Sequence, residues 1–158
     1  MSSKLARFTD RVVSLAQKAV VGDPDPTFEE GKNGYADWVI VTIHGLREYL
    51  DHTFRRLLDV LHERHGIVAQ LDLAVADLPD FTTVCTRKQD LEMRIWRVLL
   101  RLSAELHDLG DVQAIDATGM DRIAASQHYA KRTNYTFEAV KTTLLSDCET
   151  GTILDIHC

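Results

Sequence analysis

Ala114-Ile115-Asp116-Ala117-Thr118-Gly119 marks the point where this chain changes its periodicity. Before it, apolar residues recur every three or four positions. From Val112 to Thr118 the period is alternating, so the segment reads as a β-strand. The break lies at Leu109-Gly110-Asp111. Two more strands are predicted downstream. Residues 135–145 are rich in β-branched and aromatic side chains, and residues 152–157 follow the turn Asp147-Cys148-Glu149-Thr150-Gly151. A helical part followed by a β-rich part is an α+β arrangement, divided near residue 110 into residues 1–110 and 111–158.

Upstream, residues 5–21 form an amphipathic helix in which Val12, Leu15, Ala16 and Ala19 recur at helical spacing. Gly22-Asp23-Pro24-Asp25-Pro26 ends it, because proline cannot continue a helix. A long helix is expected over residues 36–65, with Val39, Ile43, Leu46, Leu50, Phe54, Leu57 and Leu61 on one stripe and Gly66 as its stop. A shorter helical stretch covers 67–73, and Leu78-Pro79-Asp80 turns the chain. Thr82 or Thr83 is expected to cap a short helix ending near Gln89. The last helix, residues 91–108, carries the stripe Leu91, Ile95, Leu99, Leu102 and Leu106.

With 158 residues, 45% of them hydrophobic and 27% charged, the composition is that of a globular chain able to bury a core. The formal net charge of −6 gives no general attraction to nucleic acid or anionic membrane, so any DNA contact must rest on local basic patches. Cys85, Cys148 and Cys158 form no close pair, which fits a reducing cytoplasm better than a disulfide framework or a structural zinc site. The N-terminus lacks the apolar core of a signal peptide. The strongest apolar run, Trp38 to Ile43, is far below the roughly 20 residues that span a bilayer. A cytoplasmic protein with no membrane partner is expected.

Asp116, between Ile115 and Ala117, is the residue most suggestive of chemistry. A carboxylate among apolar strand neighbours must be paired, protonated or bound to a cation. In phosphoryl-transfer enzymes such a residue is a ligand of divalent ions. The alternative is an Asp at a strand end, bonded to the backbone amides of a Thr118-Gly119 turn. Asp155 is expected to stand too far from Asp116 to share an ion if the second strand lies between them, and it and His157 read as solvent-face residues. His62 and His65 sit three apart with no third ligand nearby in sequence.

Several basic groups qualify as DNA contacts. Residues 67–89 have the form helix, turn, helix, with Thr83, Thr86, Arg87, Lys88 and Gln89 on the polar surface. Arg94, Arg97 and Arg101 share a face of the next helix, although Glu105 is placed to pair with Arg101. Lys131 and Arg132 precede the second strand. A solvated helix face and an exposed basic loop account for the same residues.

Gly34-Tyr35-Ala36-Asp37-Trp38, Ile43-His44-Gly45-Leu46-Arg47, the Asp116 strand with Asp121-Arg122, and His128-Tyr129-Ala130-Lys131-Arg132-Thr133-Asn134-Tyr135 follow one another in this chain. With Leu154-Asp155-Ile156-His157-Cys158 they resemble the insertion-sequence DDE transposases, in particular the "insertion sequence five" group carried by halophilic archaea. The resemblance runs from about Phe8 to the C-terminus. It implies a helical DNA-binding region followed by the first three strands of a ribonuclease H-like mixed sheet. In that family two Asp and one Glu bind two Mg2+ ions for DNA strand cleavage and transfer, and Asp116 matches the first of the three.

The resemblance places the second Asp and the Glu in segments beyond the third strand. The expectation is therefore a truncated DDE transposase, an incomplete catalytic domain that binds Mg2+ unproductively and is catalytically inactive. DNA at the element's ends would be its partner, with self-association or an intact transposase as others. The alternatives are a non-catalytic DNA-binding regulator of transposition and a functionless remnant.

Overall fold

The computed structural model describes residues 3–22, 24–27, 34–121 and 139–157. Among them, helices come first and strands last. The helices are α1 (Lys4–Ala19), α2 (Asp37–Leu50), α3 (Phe54–Glu63), α4 (His65–Val68), α5 (Phe81–Asp90) and α6 (Met93–Ala104). Short 3-10 turns occupy Ala69–Leu71 and Val75–Asp77, and the strands are β1 (Gln113–Asp121), β2 (Ala139–Asp147) and β3 (Ile153–His157). The chain divides into two compact units, Met1–Leu99 and Leu100–Cys158, so the last turn of α6 belongs with the sheet.

In the first unit α2 is the central element. Trp38, Val39, Ile40, Val41, Thr42 and Ile43 are all buried, so this stretch of the helix is enclosed on every side rather than along one stripe, whereas its last turn, with Glu48 and Tyr49, reaches solvent. Helices α1, α3 and α5 pack against it. They contribute Ala16, Leu57, Leu61 and Val84, each at most 1% exposed. A fully buried Leu or Ile side chain contributes about 1.5–3 kcal/mol, so this cluster dominates the stability of the unit. Thr42 donates its hydroxyl to the Trp38 carbonyl at 2.8 Å, whereas the buried Trp38 Nε1 has no hydrogen-bond partner among the described residues.

The single helix expected over residues 36–65 is two helices. Asp51 takes the left-handed conformation at φ 51°, and its N–H and that of His52 donate to the carbonyls of Glu48 and Arg47. This is a Schellman termination with Asp in the place usual for glycine. Thr53 then opens α3, its hydroxyl oxygen accepting from Arg56 N–H at 3.3 Å. Gly66 is not the stop: α3 ends at Glu63, and Gly66 lies inside the single turn of α4. Helix α5 is capped by Asp80 rather than Thr82 or Thr83. Its Oδ1 accepts from the N–H groups of both threonines at 2.8 and 2.9 Å.

In the second unit the strands form an antiparallel meander in the order β1-β2-β3. The fold is thus α+β, and its sheet is antiparallel throughout the described strands. The second strand lies later than expected, at Ala139–Asp147, and residues 135–138 fall outside the described part. Thr118 and Gly119 are paired with Thr142 and Lys141 inside β1, so no turn occurs at that point. Asp147 is 1% exposed and closes the β2–β3 connection. Its Oδ1 accepts from the Glu149 and Thr150 amides and the Thr150 hydroxyl, and its Oδ2 from the Gly110 amide. No helix among the described residues is long and apolar enough to cross a membrane.

Candidate functional site

Among the described strands β1 pairs only with β2, which places Asp116 on the edge of the described sheet. Residues 111–117 are all exposed, and Ile115 is 75% exposed. The Asp116 carboxylate is therefore solvated instead of enclosed by apolar neighbours, and burial does not force a cation upon it. Its Oδ1 accepts from the adjacent Ala117 N–H at 2.8 Å.

The register settles the relation to Asp155. Asp116 stands opposite Leu144, which stands opposite Ile156, whereas Asp155 stands opposite Leu145. Alternation along β2 puts Asp116 and Asp155 on opposite faces of the sheet, in addition to the intervening strand. Asp155 is also not a free solvent-face residue. Its side chain is 20% exposed and its Oδ2 accepts from Arg101 Nη2 at 2.5 Å. Arg101 thus pairs across to β3 in place of the expected Glu105. His157 is exposed. No group of three or more His, Cys, Asp or Glu among the described residues is arranged to hold a metal ion.

The basic residues separate into distinct situations. Lys88 is exposed on α5. Arg87, next to it, is 6% exposed, and its Nη2 donates to Asp37 Oδ1 at 2.5 Å. Asp37 lies in the first turn of α2, where the helix dipole favours an anion, so Arg87 ties α5 to α2 and presents no open face to a phosphate. Arg94 is exposed, 3.8 Å from Glu92. Arg97 is half-buried, and Arg101 is 56% exposed beside Asp155. Lys131 and Arg132 lie outside the described residues.

The 67–89 region departs from a compact helix-turn-helix. The first helix is only α4 with its 3-10 extension to Leu71, and residues 72–80 connect it to α5. A helix-turn-helix uses a turn of about 3–4 residues. The connection carries Asp72, Asp77 and Asp80. Bonds from the Thr83 amide and hydroxyl hold the Asp80 carboxyl below its ordinary range, keeping it ionised at the α5 N-terminus. A phosphate approaching that end meets negative charge. Thr83 spends its hydroxyl on Asp80, while Thr86 and Gln89 remain exposed further along.

Two features went unread in the sequence. His44 is buried, with edge-on contacts to Phe54 and Trp96 and its Nδ1 3.7 Å from Glu48 Oε1. Burial holds its imidazole below the ordinary histidine range, with Lys88 acting in the same direction. On α1, Lys4, Arg7, Arg11 and Lys18 are all exposed. Their spacing of three, four and seven was the available signal. His62 turns its Nδ1 to the Leu58 carbonyl at 2.7 Å, and His65 is exposed in α4.

Comparison with protein-family models, with curated proteins and with solved structures finds no match.

Proposed function

We propose that this chain carries the DNA-binding helices and the first carboxylate strand of an insertion-sequence DDE transposase. The order of its motifs, from Gly34-Tyr35-Ala36-Asp37-Trp38 to Leu154-Asp155-Ile156-His157, supports the family assignment. The structural observation that carries the reading is Asp116 on the edge strand of the antiparallel meander formed by the described strands. A further strand added beside β1 would lie about 4.8 Å away, close enough for its carboxylate to share a divalent ion with Asp116.

Mg2+ would supply the electrophilic activation of phosphate in such a site. The donor set here does not fit it. One solvated carboxylate without two companion carboxylates among the described residues does not hold two ions. These 158 residues are therefore expected to bind DNA without cutting it. Magnesium-dependent nicking of duplex DNA from the flanks of the gene tests this. No nicking above background is expected, and robust cutting abolished by Asp116→Ala would overturn it.

The self-contained core of the helical unit favours a second, narrower reading: a DNA-binding regulator that occupies element ends in competition with an intact transposase. It predicts that adding this chain slows end cleavage by the intact enzyme. Unchanged cleavage at saturating amounts would remove it.

A further inference from the structure

We infer that the exposed face of α1 is a contact surface for the phosphate backbone of duplex DNA; the inference rests on the DNA-binding reading above and names the surface. Lys4, Arg7, Arg11 and Lys18 lie within about 60° of arc on the helix at 100° per residue, and the row spans about 21 Å. At one phosphate per 3.4 Å of each strand, that length runs past about six phosphates. Asp10 is the one acidic residue of α1 and lies at the border of the row, so the helix is strongly basic in a chain of net charge −6.

Three observations favour this occupant. None of the four cations is in an ion pair among the described residues, so their charge is available. Arg87, Arg101 and Arg94, by contrast, have acidic partners at 2.5, 2.5 and 3.8 Å. Ser3, Asp10, Ser14 and Gln17, all exposed and polar, border the row on one side, and Phe8 and Leu15, both half-buried, border it on the other. A helix that lies in a membrane surface needs an apolar face to insert. The apolar face of α1 is instead packed on α2, with Phe8 stacked on Tyr49 at 4.0 Å and Val12 against Gly45. Four exposed charges, with no fully exposed large apolar side chain within α1, suit a phosphate backbone.

The test measures binding of a short labelled duplex of arbitrary sequence as salt is raised. Four phosphate contacts at about 0.9 each predict that Lys4→Gln/Arg7→Gln/Arg11→Gln/Lys18→Gln flattens the slope of log K against log salt by about 3–4. Arg7→Lys/Arg11→Lys keeps the charge and should keep the slope. All positions are exposed, and unchanged circular dichroism and melting verify that both variants fold. If the fourfold variant keeps the wild-type slope while Lys88→Gln/Arg94→Gln flattens it, the inference falls and the DNA-binding reading survives. If the wild-type chain binds no duplex at low salt, both fall. Preferential binding of wild type to phosphatidylserine vesicles, lost in the fourfold variant, would overturn DNA in favour of a membrane surface.

Discussion

Asp147 joins three pieces of chain with one side chain. Its four acceptor bonds fix the β2–β3 turn and anchor the Gly110 loop, and they hold its carboxyl below the ordinary range, the Thr150 amide contributing most. His44 shows the opposite chemistry, since burial beside Phe54 and Trp96 favours its neutral form. Both groups make stability depend on pH. The folded state binds fewer protons than the unfolded state once pH drops below the unfolded value, about 6.5 for His and about 3.9 for Asp. Both contributions are complete above those values and are lost as pH falls through the lower folded ones. Melting temperature should therefore decline in two steps on acidification. His44→Leu should flatten the upper step, and Asp147→Asn the lower one while lowering stability at neutral pH. An unchanged acid profile in both variants would refute this account.

At the scale of elements, close packing of α1 on α2 depends on Gly45. A Cβ there would meet Val12 Cγ1 at 3.0 Å, and a β-branched side chain in a helix has little freedom to turn aside. Gly45→Leu is expected to cost about 1–3 kcal/mol by overpacking, read as a lower denaturant midpoint. Gly110 makes the useful contrast. Its Cβ would come within 2.5 Å of Glu149, but that side chain is exposed and swings away, so Gly110→Ala should be nearly neutral. Equal costs at the two positions would count against the packing argument.

The same elements explain what was legible in the sequence. The change from helical to alternating period placed the helices and all three strands, because periodicity reports which side of an element is covered. It could not see the break at Asp51. Leu46, Leu50, Phe54, Leu57 and Leu61 keep helical spacing straight across it, and the break is made by local groups, the left-handed Asp51 and the Thr53 cap. The burial of Arg87 and the exposure of Asp116 were equally hidden. Each depends on what a distant segment places beside it, Asp37 in the first case and, among the described residues, no second flanking strand in the other.

At the scale of the molecule, exposed apolar residues occur in both units, Val21 and Met93 in the helical one and a further group in the second. Leu106, Val112 and Ile115 are 56%, 58% and 75% exposed, and β1 pairs on only one side among the described strands. Such an edge invites another strand. Sedimentation velocity should show association that grows with concentration, and Ile115→Lys should reduce it. A wild-type chain that stays monomeric at high concentration would contradict this.

The enclosure of α2 also sets how this protein yields to solvent. The amides of Val39, Ile40, Val41 and Ile43 belong to residues with no exposed surface, so small fluctuations at the periphery do not uncover them. Their exchange with deuterium must wait for the helical unit to open as a whole. The slowest amides in the chain therefore read out the opening free energy of that unit.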